Sequence, residues 1–325
     1  MPSSYSPARV VVVNAELPKP TLSRIGAASP NLRLVDKAEL LARPAWLDEA
    51  EVLFTQHTDP VRIAHSRSLR WVQTYGAGVE WLLTPEVIAR PELRITNASG
   101  IHAQPIAEHV FGFILAFARK LHLAERQQAE SVWDPAPLRI GLGTLEGATL
   151  GVLGLGAIGR RVAELGAAFG MRVVGYRRKG DAVPGVARVY GERELPAFLR
   201  GADYLVNTLP LTPATHGLLG HGEFARMRKG AFLVNIGRGA TIDTSALVEA
   251  LTSGAIAGAG LDVTEPEPLP QEHPLWRLEN VLITPHYSGA HPGYEERVAS
   301  IFVDNLQRYA AGQPLVNLVD KQAGY

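Results

Sequence analysis

The chain has 325 residues, of which 46% are apolar and 20% charged, enough for about two domains at roughly 150 residues each and incompatible with a disordered polymer. Its 32 basic and 32 acidic side chains cancel, so no global field draws in nucleic acid or an anionic lipid surface, and neither is expected as a partner. The absence of cysteine excludes disulfides, thiolate metal sites and thiol nucleophiles.

The opening stretch holds four consecutive apolar residues, Val10 to Val13, short of the roughly 7–15 of a secretory leader. No stretch reaches the roughly 18 needed to span a membrane. A soluble, cytoplasmic chain is therefore expected. Short apolar strands follow at 9–14, 32–36, 51–55, 69–74 and 93–98, with spacings that suit crossover helices and a small parallel sheet. A single long helix is predicted over 104–130, with Ile106, Val110, Phe113, Ile114, Phe117 and Leu121 at helical spacing. The breadth of that stripe calls for cover on more than one face, in part by a second subunit. Residues 133–147, rich in Pro and Gly, read as an irregular connection.

From 148 the alternation becomes regular. Strands are predicted at 149–153, 172–176, 204–208, 231–236, 257–263 and 281–284, with helices at 157–169, 192–200 and 245–252. This is the pattern of a doubly wound α/β domain. A last amphipathic helix, 292–311, is expected to pack back on the first domain.

The strand at 149–153 runs into Gly154-Leu155-Gly156-Ala157-Ile158-Gly159, and a helix follows. In that context a G-x-G-x-x-G predicts a dinucleotide site. The first glycine permits the tight turn, the second lets a pyrophosphate approach, and the third lets helix and strand close together. Sites that choose NAD place a carboxylate about 20 residues on, against the ribose 2′-hydroxyl. Here Arg177 stands 23 residues after Gly154 and is followed by Arg178. A guanidinium pairs with a 2′-phosphate where a carboxylate would repel it, so NADP(H) is expected over NAD(H).

Three further segments follow or end predicted strands: Val234-Asn235-Ile236-Gly237-Arg238-Gly239, Gly260-Leu261-Asp262-Val263-Thr264-Glu265-Pro266-Glu267-Pro268, and Ile283-Thr284-Pro285-His286-Tyr287-Ser288-Gly289. Ligands of doubly wound sheets bind at the carboxyl ends of strands. An Arg, a Glu and a His brought to that edge suit an anionic substrate and a proton transfer beside a nicotinamide.

Together with the glycine loop, these segments closely resemble the D-isomer-specific 2-hydroxyacid dehydrogenase family, over about 75–289; before Tyr75 the likeness rests on strand pattern. The resemblance implies an α/β fold of two doubly wound parallel-sheet domains. A Rossmann cofactor domain (100–287) would be inserted into a flavodoxin-like substrate domain (1–99 plus 288–325), and the protein would be a homodimer. It implies that Arg238 holds the substrate carboxylate, that His286 donates the proton, and that Glu267, directly before Pro268, keeps the imidazole charged. It also matches Gly76-Ala77-Gly78-Val79 to the carboxylate-binding loop, with Ala77 and Gly78 on the substrate and Glu80 in place of the usual Asp. Asp262 would face the nicotinamide carboxamide, and Asn97, Leu209, Pro210, Thr215 and Ile236 would line the cofactor cleft. Arg177 resembles the NADPH-using glyoxylate and hydroxypyruvate reductases of the family. The implied reaction is reduction of a small 2-ketoacid to the D-2-hydroxyacid. Formate- or phosphite-type dehydrogenation and a non-catalytic dinucleotide sensor are the alternatives.

Other residues read plainly. His57, His65, His122, His221 and His291 are expected at the surface or in loops, and His109 as a packed interface residue rather than a ligand. Arg160 and Arg161 read as a solvated face. Trp133 and Trp276 read as core or interface aromatics. Without cysteine or an H-E-x-x-H pattern, no metal is expected.

Overall fold

In the computed structural model, which describes residues 9–29 and 31–324, the chain divides into two units. Unit 1 comprises residues up to Ile101 and again from His291; unit 2 is His102–Ala290. The opening residues 1–8, part of the stretch read for a leader, lie outside the described residues. No helix among the described residues is long and apolar enough to cross a membrane.

Unit 1 holds five strands: β1 (Arg9–Asn14), β2 (Leu32–Val35), β3 (Val52–Thr55), β4 (Trp71–Thr74) and β5 (Arg94–Thr96). They pair in the order β2-β1-β3-β4-β5, every pair parallel, which is the flavodoxin-like order. All four residues of β3 and of β4 are buried, as expected of central parallel strands covered on both faces. On one face Phe302 and Val298 of the C-terminal helix Tyr294–Ala310 pack with Val11, Phe54 and Trp71. The other face is closed by Leu40, Leu47, Ile63, Leu82 and Val87 from short helices and turns. One of these helices, Lys37–Ala42, opens with a capping box in which Asp36 accepts from the Glu39 amide at 2.9 Å.

Unit 2 holds seven parallel strands: β6 (Thr149–Leu153), β7 (Arg172–Tyr176), β8 (Arg188–Tyr190), β9 (Tyr204–Asn207), β10 (Phe232–Asn235), β11 (Gly258–Leu261) and β12 (Val281–Ile283). Their order is β12-β11-β10-β9-β6-β7-β8. The chain reverses direction across the sheet between β6 and β9, the switch point at which ligands of such sheets bind. The expected pair of doubly wound parallel-sheet domains is therefore the observed fold.

Several local expectations are corrected. The helix expected over 104–130 is two helices, Ala103–Ala118 and Leu121–Ala129, because Lys120 between them takes a left-handed φ of 58°. Leu121, expected on the buried stripe, is 55% exposed. The connection 133–147 contains a short helix, Ala136–Arg139. The helix expected at 192–200 begins as a 3-10 turn, Glu192–Glu194, and continues as Leu195–Gly201. Strand β8 was not foreseen. His122 is half-buried beneath Phe117 rather than at the surface, with Nδ1 on the Ala116 carbonyl. Arg161 is partly rather than fully solvated, since its Nε reaches Gln104 of helix Ala103–Ala118. Trp133, 97% exposed, belongs to no core of this chain.

Candidate active site

The glycine loop does what its spacing requires. Gly154 has φ +99°, and a Cβ there would lie 2.8 Å from the Thr208 hydroxyl oxygen. Gly159, in the first turn of helix Ala157–Ala168, is pressed so close to the loop that a Cβ would stand 1.9 Å from the Gly154 carbonyl oxygen. Gly156 is different: its Cβ would meet nothing within 4 Å. It is the N-cap residue of that helix, and no side chain caps it. An open backbone position at an uncapped helix N-terminus is what a pyrophosphate needs, so the residues present fit a dinucleotide. Ala157 and Ile158 supply the first-turn backbone. Arg177 follows β7 directly, its amide on the Tyr190 carbonyl at 3.1 Å, and Arg178 beside it is exposed.

The carboxyl ends of β9 and β10 are joined to this loop by buried amides that the sequence reading did not single out. Asn207 donates to Asn235 Oδ1 at 3.0 Å and to Thr241 Oγ1 at 2.7 Å, while its own Oδ1 accepts from the Leu209 amide. Leu209 thereby lies against Gly154, and Gly237 against the Leu209 carbonyl. Pro210 and Thr215 form the next turn, closed by the Thr215 hydroxyl on the Pro210 carbonyl at 2.6 Å. Ile236 is buried, its amide on the Asn207 carbonyl.

Arg238 leaves this edge in extended conformation. Its carbonyl is gripped by Thr241 Oγ1 at 2.6 Å and Asn235 Nδ2 at 3.2 Å, and its Nη1 donates to the Gly237 carbonyl. The next residue must be glycine, because a Cβ on Gly239 would stand 1.9 Å from the Thr264 carbonyl oxygen. That contact brings the segment after β11 alongside Arg238.

Glu267 and His286 meet directly, His286 Nδ1 lying 2.5 Å from Glu267 Oε1. Both side chains are about half exposed. A carboxylate only accepts, so Nδ1 carries the proton in that bond and the ring presents Nε2 away from it. His286 has a left-handed φ of 50°, a strained conformation for a non-glycine residue that surrounding bonds must hold. Asp262, 2% exposed, supplies them. Its carbonyl accepts the His286 amide at 2.8 Å, and its carboxylate accepts the Tyr287 and Ser288 amides, each at 3.1 Å. Two neighbours of Asp262 escaped the sequence reading. Thr284 donates to its Oδ1 at 2.6 Å, and His109 lies 2.9 Å from the Thr284 hydroxyl.

Asn97, Ala77 and Gly78 belong to unit 1. Asn97 is buried, its Nδ2 on the Ala77 carbonyl at 2.9 Å and its Oδ1 accepting from Ser99, so it fixes the Gly76–Val79 turn. Unit 2 thus gathers the glycine loop with Leu209, Pro210, Ile236, Arg238, Asp262, Glu267 and His286. Among the described residues no group of three or more His, Cys, Asp or Glu is arranged to hold a metal ion.

A family model, the NAD binding domain of D-isomer specific 2-hydroxyacid dehydrogenases, matches residues 111–288. A glyoxylate reductase of Aeropyrum pernix is 38% identical over 286 residues, covering 84% of each chain. A glyoxylate/hydroxypyruvate reductase A of Yersinia enterocolitica is 33% identical over 270 residues, 81% of this chain and 84% of the relative. Among solved structures, a D-isomer specific 2-hydroxyacid dehydrogenase from Xanthobacter autotrophicus Py2, in complex with NADPH and MES, matches with a TM-score of 0.84 at 33% identity, over 98% of this chain and all of that one. An NADPH-dependent glyoxylate/hydroxypyruvate reductase from Sinorhizobium meliloti, in complex with NADP and sulfate, matches with a TM-score of 0.84 at 28% identity and the same coverage. The chain belongs to the D-isomer specific 2-hydroxyacid dehydrogenase family. It is an oxidoreductase whose cofactor is a nicotinamide dinucleotide.

Proposed function

We propose that this enzyme reduces a small 2-ketoacid, glyoxylate or hydroxypyruvate, to the corresponding 2-hydroxyacid, of D configuration where carbon 2 is chiral, and that it prefers NADPH to NADH. The observation that carries the reading is the 2.5 Å pair of His286 and Glu267, delivered to the same sheet edge as the glycine loop and Arg238. When bound, the reduced nicotinamide supplies a hydride to carbon 2. Arg238 pairs with the substrate carboxylate and polarises the ketone. Glu267 fixes the His286 ring through Nδ1, so that Nε2 delivers the proton to the ketone oxygen and is recharged from solvent. Gly154, Gly156, Ala157, Ile158 and Gly159 hold the pyrophosphate, while Leu209, Pro210, Thr215, Ile236 and Asp262 line the rest of the dinucleotide site. In this reading residues 100–287 are the cofactor domain, and 1–99 with 288–325 the substrate domain. The active form is a homodimer in the cytoplasm.

The NADPH preference rests on Arg177 and Arg178, and is supported by the NADPH and NADP bound to the two structural neighbours. A charge-assisted hydrogen bond is worth about 1.5–3 kcal/mol, so even one favours the 2′-phosphate by about tenfold to about 150-fold. Initial rates with glyoxylate, hydroxypyruvate, pyruvate and phenylpyruvate, each with NADPH and NADH, test the reading. Turnover of glyoxylate and hydroxypyruvate with NADPH is expected, and Arg177→Asp with Arg178→Ala should reverse the cofactor preference. No turnover of any ketoacid would overturn the activity; unchanged Michaelis constants for both cofactors in the double variant would overturn the preference.

A further inference from the structure

Helix Ala103–Ala118 and strand β11 meet residue against residue. A Cβ on Gly258 would stand 2.6 Å from the Phe117 ring, and one on Gly260 2.6 Å from the Phe113 ring. One step further along both elements, His109 Nε2 lies 3.9 Å from Asp262 Oδ1. Four residues of helix advance about 6 Å and two residues of strand about 6.6 Å. A stripe at 117, 113 and 109 therefore keeps level with a strand face at 258, 260 and 262. The two glycines clear room for the two phenyl rings, and the same register sets an imidazole beside the aspartate that holds the His286 loop.

We propose that His109 is a positioning residue for the reaction: by donating Nε2–H to Thr284 it commits the Thr284 hydroxyl proton to Asp262, and so steadies the loop on which His286 is carried. Thr284 Oγ1 lies 2.6 Å from Asp262 Oδ1, and a carboxylate cannot donate, so the single hydroxyl proton goes to Asp262. Thr284 Oγ1 must then accept from His109 Nε2, 2.9 Å away. The chain of bonds runs one way, from imidazole to hydroxyl to carboxylate, and ends on the group that also accepts the Tyr287 and Ser288 amides. The ring is faced by Phe113 on its own helix, Asp262 after β11, and Thr284 and Tyr287 after β12, the two aromatics edge-on. Burial lowers the His109 pKa against a smaller opposing pull from Asp262, which suits a neutral ring with one proton, on Nε2.

This inference rests on the reading of His286 as proton donor, and its test separates the two. His109→Leu is expected to lower kcat about tenfold while leaving NADPH affinity within twofold. Thr284→Val should cost about the same, and the double variant no more than either single one, since both break one chain. His109→Gln, which keeps an N–H donor, should recover activity to within threefold of the parent. Amide exchange at Tyr287 and Ser288 should quicken at least tenfold in His109→Leu and stay unchanged in His286→Ala. Nitrogen chemical shifts of the parent protein should report the Nε2–H tautomer of His109 between pH 6 and 8. An Nδ1–H tautomer, additive losses, or unaltered exchange would overturn the proposal even if His286 proves to be the acid. If His286→Ala remains active, the exchange and tautomer results still decide what His109 holds.

Discussion

The carboxyl edges of the two sheets are built differently. In unit 2 the side-chain ties among Asn207, Asn235 and Thr241 are joined by close approaches of main chain to main chain at Gly159, Gly237 and Gly239, with no room for a Cβ. In unit 1 the corresponding ends are tied by side chains. Asn14 donates to Thr58 Oγ1 at 2.8 Å, Thr58 shares a proton with Thr55 at 2.7 Å, and Thr96 donates to Gln73 Oε1 at 2.7 Å. A main-chain edge leaves amides at fixed positions for charged groups that never vary, such as a pyrophosphate. A side-chain edge spends its polar groups internally and can be rebuilt with other residues. The first kind of edge suits a common cofactor, the second a pocket that differs between substrates.

Substitutions that add a methyl group break this contrast most sharply. Gly159→Ala and Gly239→Ala each put a Cβ 1.9 Å from a backbone oxygen, a clash no rotamer relieves. Overpacking commonly costs about 1–3 kcal/mol and rises where backbone must move, so a loss of about 3 kcal/mol or more is expected in urea denaturation. Gly76→Ala, on the unit 1 edge with open space around it, should change stability by less than about 0.5 kcal/mol. Equal losses at all three positions would erase the distinction.

A smaller effect is expected from Thr58→Val, which strands the buried hydroxyl of Thr55 and leaves Asn14 Nδ2 with the His57 carbonyl. Leaving buried groups unsatisfied costs about 1–3 kcal/mol, again read by urea denaturation. Asn207→Leu, the counterpart in unit 2, removes donors to Asn235 and Thr241 and an acceptor for Leu209. It should lower affinity for NADPH as well as stability, whereas Thr58→Val should leave NADPH affinity within twofold. Calorimetric titration of both variants distinguishes them.

The smallest effect concerns acid. Burial lowers the pKa of His109 and of His122, both in unit 2. A histidine with a depressed folded pKa binds fewer protons folded than unfolded. Its stabilising contribution is complete above the unfolded value of about 6.5 and is lost as pH falls through the folded one. The opening free energy read from hydrogen-exchange protection factors in β10 and β11 should therefore fall between pH 7 and 5, and His122→Gln should flatten the slope. A slope unchanged by that substitution would remove His122 from the account.

Where the backbone does the work, the sequence was readable. The glycine loop and Gly239 sit where main-chain geometry requires glycine, whereas Arg238, Glu267 and His286 were legible through their resemblance to a family. The fully buried strands were equally plain, because parallel strands covered on both faces are continuous apolar runs. What escaped depended on side chains meeting across the chain. His109 and Thr284 are 175 residues apart, and neither has a local pattern; only the 109, 113, 117 stripe against Gly258, Gly260 and Asp262 explains their meeting. The break at Lys120 escaped because apolar spacing continues through it, while a left-handed lysine leaves no compositional mark. The capping box at Asp36 and Glu39 was an overlooked local signal, as were the N-caps Asp59, Thr84 and Asp243; the box opens a helix of six residues, too short for apolar periodicity to register.

The central claim is that the His286 imidazole, held by Glu267 and Asp262, is the acid of a 2-ketoacid reduction. The most direct measurement is single-turnover oxidation of bound NADPH by glyoxylate in His286→Ala, with NADPH affinity measured on the same preparation. The account predicts NADPH binding within twofold of the parent and a turnover rate lower by about 10²-fold or more, as loss of a general acid requires. A rate within threefold of the parent, at undiminished NADPH affinity, would contradict it.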